Sequence, residues 1–188
     1  MSSKKTIANF TVTTQKEFDQ IPLNFKGIII IDSKVDYISV KNKYSKPIRI
    51  KGVSKVKLYK KSMAVAFDNS KVKAYDNSKV VSYNCSDIKS YDESKVKAYD
   101  KSTVEAYDRS KVKACNTLVY AYDNSKIMSY KTVNVRAYDN SKVSAYDESF
   151  VVGFDKSKIK TYNKSTASNH NKSKIKDFSI STKKRQTV

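Results

Sequence analysis

Glycine, proline, tryptophan, cysteine and histidine are scarce in this chain, and acidic side chains are outnumbered more than two to one by basic ones. With 3 Gly and 2 Pro in 188 residues, collagen-like and glycine-rich sequences are excluded. No apolar run approaches the length of a bilayer span; Ile28 to Ile31 is four residues. The first residues carry no signal-peptide pattern. The two cysteines, Cys85 and Cys115, stand at different positions of the repeat described next, which argues against a disulfide and for a reducing, cytoplasmic setting. His170 is the only histidine and has no neighbouring cysteine or second histidine to complete a metal set or a nucleophile–base pair. A glycine loop to cradle phosphate is also missing. The sequence therefore predicts a protein without enzymatic activity and without a cofactor.

What the chain does have is one eight-residue unit said many times. Between Lys71 and Ser110 it reads KVKAYDNS, KVVSYNCS, DIKSYDES, KVKAYDKS, TVEAYDRS. An apolar column runs Val72, Val80, Ile88, Val96, Val104, Val112, Val119, Ile127, Val135, Val143, Val151, Ile159. Small residues follow two positions later, then an aromatic column in which Cys115 and His170 are the exceptions, then Asp or Asn, and a serine closes the unit. Between Cys115 and Tyr122 the spacing drops to seven. A fixed short period means that each unit cannot bury its apolar positions alone and must stack on its neighbours.

Within the unit, S-K-V-K-A-Y alternates with period two, so it predicts a strand, and Asp with its polar neighbour predicts the corner. The period does not fit a helix, and Val, Ser, Asp and Asn are modest helix formers. The fold class predicted is all-β, a single-stranded β-solenoid. Valine, alanine and serine facing inward suit about 16 residues per coil; tyrosines turned inward would demand about 24. Alternation favours tyrosine outward and the smaller coil. Residues 1–52 are expected to hold a loose start, a strand at ANFTV, a capping box at Thr14 to Glu17 opening a short helix stopped at Pro22, and irregular first coils. The octapeptide solenoid is expected over 53–178 and a basic tail with Lys183, Lys184 and Arg185 over 179–188.

The run AFDNSKVKAYDNSKV, Ala66 to Val80, resembles the octapeptide-repeat β-solenoids of bacterial and phage-encoded proteins, and the likeness extends over roughly residues 53–178. It implies the architecture; phage encoding is an extrapolation from it, and activity is not implied by a structural motif.

The balance of 38 Lys and Arg against 18 Asp and Glu, a net charge of +20, favours an anionic partner. On the alternating pattern, two lysine columns and the tyrosine column share one outward face: Lys71, Lys73, Tyr75, Lys79, Tyr91, Lys95, Lys97, Tyr99, Tyr107, Lys111, Lys113, Lys126, Arg136 and Lys142. Cations neutralise phosphates and rings are platforms for unstacked bases, so the expected partner is nucleic acid or a nucleoprotein complex. In a phage this would make the rod an inhibitor of a host defence system, in the manner of an anti-CRISPR. The rival reading is a structural scaffold, adhesin or particle component, its tyrosines stacked on each other and its lysines guarding edges. The aspartate column would pile up like charges, which a cation or neighbouring lysines and turn hydrogen bonds would relieve; a turn role without metal is the expectation.

Overall fold

The structure is a computed structural model and describes residues 9–178. Each octad supplies one strand of about four residues followed by a tight corner, and successive octads run on opposite sides of a flattened coil. Numbered in chain order, sheet A stacks β1 (Asn9–Val12), β2 (Ile28–Ile31), β4 (Ile48–Ile50), β6 (Met63–Ala66), β8 (Lys79–Ser82), β10 (Lys95–Ala98), β12 (Lys111–Cys115), β14 (Lys126–Tyr130), β16 (Lys142–Ala145), β18 (Lys158–Thr161) and β20 (Lys174–Asp177). Sheet B stacks β3 (Ile38–Val40), β5 (Lys55–Leu58), β7 (Lys71–Ala74), β9 (Asp87–Ser90), β11 (Thr103–Ala106), β13 (Leu118–Ala121), β15 (Asn134–Ala137), β17 (Phe150–Gly153) and β19 (Thr166–Asn169). All pairings are parallel and in register, so Val80, Val96 and Val112 lie side by side. The result is a β-solenoid of about 11 turns with about 16 residues per turn.

The inward positions are filled by small side chains, as the period requires. Val96 is 2% exposed, Ala98 and Ser94 are fully buried, and the same holds along each column. Large inward side chains are concentrated in the first coils, where Ile29, Ile31, Ile38, Ile48, Ile50 and Leu58 are buried, and recur later only singly, at Ile88, Ile127 and Ile159. At the other extreme Gly153 has no room for a methyl group, since a Cβ there would meet Ile159 and Ser157. Sheets A and B run without a break through residue 52: β2 pairs with β4, β4 with β6, and β3 with β5. The start and the repeat therefore share one core. The octad register begins with Ser54, while Val53 is half exposed in the corner before it.

The corner turns on a left-handed residue. Asp68, Asp76, Asn84, Asp92, Asp100 and their equivalents to Asn171 have φ between 54° and 60°, a conformation that Asp and Asn tolerate best among non-glycine residues. Lys60 and Lys131 occupy it too, and Gly52 takes it at the first such corner. The dropped residue between Cys115 and Leu118 shortens one turn by one position, and strands β12 and β14 stay in register across it.

The first edge of sheet B is covered by α1 (Gln15–Asp19), which opens with a capping box between Thr14 and Glu17. Its Gln15 side chain accepts from the Ser39 N–H at 2.6 Å and donates to the Ser39 carbonyl at 3.3 Å, replacing the strand that β3 lacks. Phe18 is buried and meets Tyr44 edge to face at 5.7 Å. At the far end Ile175 and Ala167 are only partly buried. The expected loose start and the basic tail lie outside the described residues. No helix among the described residues is long and apolar enough to cross a membrane.

Candidate nucleic-acid interface

Because each octad is half a turn, the single lysine–tyrosine face expected from the sequence divides into two. Lys79, Lys95, Lys97, Lys111, Lys113, Lys126 and Lys142 stand on sheet A, whereas Lys71, Lys73 and Arg136 stand on sheet B, on the opposite side of the rod. The period of eight identifies the columns, but only the 16-residue turn decides which octads face the same way.

On sheet A, Lys79, Lys95, Lys111, Lys126, Lys142, Lys158 and Lys174 are aligned in register, one per coil. A parallel row carries Arg49, Lys97, Lys113, Lys160 and Lys176, interrupted by Val65, Val81, Met128 and Ser144. No outward position of these sheet A strands holds a carboxylate. Neighbouring lysines are about 4.8 Å apart along the stack, so the row is a line of unpaired like charge. Lys158, Lys160, Lys174 and Lys176 belong to it although they stand outside the set chosen from sequence; the signal was their place in every second octad. Beside the row lies an open groove of about 450 Å³, lined by Lys95, Lys111, Lys126, Lys142, Asn77, Glu93, Arg109 and Asn124. Its one carboxylate, Glu93, is paired with Arg109 at 3.1 Å.

Sheet B is different in kind. Its outward positions pass from Lys55, Lys57, Lys71 and Lys73 through Asp87, Lys89 and Glu105 to Leu118, Tyr120, Asn134, Arg136, Phe150 and Val152. Lys57 and Lys73 lie over the Tyr37 ring, and Arg136 over Tyr120. Lys89 and Tyr107 both donate to Glu105. Burial alone would raise the Glu105 carboxyl; those two donors outweigh it and hold the group below the ordinary carboxylate value.

The tyrosines of the repeat's aromatic column follow the strands rather than line the sheet faces. They stand at the two corners and stack on each other, as in the rival reading of the sequence. One ladder runs Tyr59, Tyr75, Tyr91, Tyr107, Tyr122, Tyr138, Phe154 and His170, with centroids 4.9–5.1 Å apart and planes within 7–11°. The other holds Phe67, Tyr83 and Tyr99, then Tyr130, Tyr146, Tyr162 and Phe178. Within a ladder both ring faces are covered by the rings above and below. Tyr75, Tyr91 and Tyr107 thus offer a ligand their edges and hydroxyls rather than a stacking platform, and Tyr99 has one uncovered face. Burial raises the hydroxyls of Tyr75, Tyr91, Tyr107, Tyr122 and Tyr146 above the ordinary phenol value, so they stay neutral.

The aspartates resolve their repulsion through the backbone. The carboxylate of Asp92 accepts the N–H of Asp76, Asp108 that of Asp92, and Asp123 that of Asp108, at 3.0–3.1 Å. The sequence points to a bond within each turn; the structure instead ties one coil to the next, because the left-handed residue turns its N–H along the stack. No group of three His, Cys, Asp or Glu among the described residues is close enough to hold a metal ion. No protein-family model, no curated protein and no solved structure matches this chain.

Proposed function

We propose that the protein is a non-enzymatic binding module whose sheet A face holds the sugar–phosphate backbone of a nucleic acid, free or within a nucleoprotein complex. The observation that supports this reading is the carboxylate-free lysine ladder from Lys79 to Lys174, set on a rigid strand face. A flat row of ammonium groups neutralises phosphates and releases counterions but reads no base edges, so recognition is of charge and shape. Encoded by a phage, such a rod would act by occupying the nucleic-acid path of a host defence complex.

The scaffold reading has its own support, since the aromatic and aspartate ladders are satisfied within the chain and need no partner. One experiment separates the two. Fluorescence anisotropy is measured with labelled single- and double-stranded oligonucleotides over a range of salt. Replacing Lys95, Lys97, Lys111 and Lys113 by Gln removes a contiguous block on β10 and β12. Binding should weaken for every sequence, and the log–log salt slope should become shallower by about 3–4. Replacing Lys71, Lys73 and Arg136, on the opposite side, should leave the slope unchanged. Equal effects from both sets, or no binding by the wild type, would favour the scaffold.

A further inference from the structure

The second aromatic ladder is broken once, at the corner that follows the lysine-bearing strands of sheet A. Tyr99 stacks on Tyr83 and Tyr130 on Tyr146, but the coil between them carries Cys115 in the aromatic position. Cys115 is paired directly with Tyr130, and the β10–β12 register places Tyr99 on its other side. Along both ladders neighbouring rings are 4.7–5.6 Å apart. Two strand spacings, about 10 Å, therefore separate Tyr99 from Tyr130. That is the interval at which one more planar ring would lie face to face with both. The Cys115 thiol is free, partly exposed and far smaller than a phenol. The shortened turn also removes one of the exposed corner residues beside it, since Cys115 and Asn116 lead straight to the buried Thr117.

The slot opens at the margin of sheet A. Lys97 precedes Tyr99 by two residues and Lys113 precedes Cys115 by two, so each points to the same side as the slot on a neighbouring strand. We propose that the gap between Tyr99 and Tyr130, floored by Cys115, receives one base of a single strand whose phosphates lie on Lys97 and Lys113. The inference rests on the backbone-binding reading of sheet A and adds to it. Elsewhere along the ladders a base would have to prise apart rings already stacked; here no ring stands between Tyr99 and Tyr130. Insertion is limited to one base per molecule at this position and tolerates any base, because every base has a π-face.

Cys85, exposed and at the same corner, is a built-in reference thiol. Wild-type protein is saturated with either a single-stranded oligonucleotide or an abasic strand of equal length and charge, then alkylated with iodoacetamide. Binding of each strand is followed in parallel by anisotropy. The base-bearing strand should slow alkylation of Cys115 about tenfold relative to Cys85, and the abasic strand should not. Cys115→Tyr, which completes the ladder, should abolish the roughly tenfold affinity advantage of the base-bearing strand and leave duplex affinity unchanged, while Cys115→Ala retains that advantage. If both strands bind yet leave Cys115 equally reactive, or if Cys115→Tyr keeps the advantage, the slot is overturned and the lysine face stands. If neither strand binds, both proposals fall together.

Discussion

At the scale of single residues the division between inward and outward positions is the sharpest property of the chain. Val96 is 2% exposed between Val80 and Val112, and a carboxylate in its place would be buried without a partner. Val96→Asp should cost several kcal/mol and fray the central coils in a thermal or denaturant melt. Lys95→Gln, one residue away and exposed, should change stability by less than about 0.5 kcal/mol. Glu105 makes a pH-dependent contribution. Its folded pKa lies below the ordinary value, so its stabilisation is present at neutral pH and is lost as pH falls through the carboxylate range. The difference in melting temperature between wild type and Glu105→Gln should therefore shrink between pH 7 and pH 3. A difference that stays constant would show that the Lys89 and Tyr107 contacts act sterically rather than through charge.

At the scale of the strand and its corner, the ladders carry information that no single repeat contains. Asp92 performs two tasks: it adopts the left-handed backbone and accepts the N–H of Asp76 at 3.0 Å. Asp92→Asn keeps an acceptor oxygen and the left-handed preference, which Asn84 shows natively at the other corner with φ 58°, and should be tolerated. Asp92→Ala loses both and should cost about 1–2 kcal/mol in a denaturant melt. The strands, the inward serines and the capping box of α1 were legible in the sequence, because alternation and Thr14–Glu17 are local signals. Two things were not. The sidedness of Lys71 against Lys79 is invisible in a single octad and follows only when the expected 16-residue turn is applied to the lysine columns, a step that the expectation of one shared face leaves out. The contact from Asp92 to the preceding coil depends on the direction of an N–H that only a positive φ reveals.

At the scale of the whole molecule, ten steps of about 4.8 Å between the outer strands of sheet A give a rod roughly 50 Å long. Far-UV circular dichroism should be strand-dominated, and small-angle scattering should report one elongated particle; a helix-dominated spectrum would be incompatible with this architecture. Each coil bonds only to the coil before and after it, and the covered end, with α1 over β3, is the one synthesised first. On a ribosome adding roughly 5–20 residues per second, a new 16-residue turn is completed about every one to three seconds. Strand addition on a ready edge takes microseconds. Every turn is then laid onto finished template long before the next is made, and the rod grows as a crystal grows, layer by layer from a seed. A chain of such high symmetry, with interchangeable octads and many possible slipped registers, would thereby be wound into a single one.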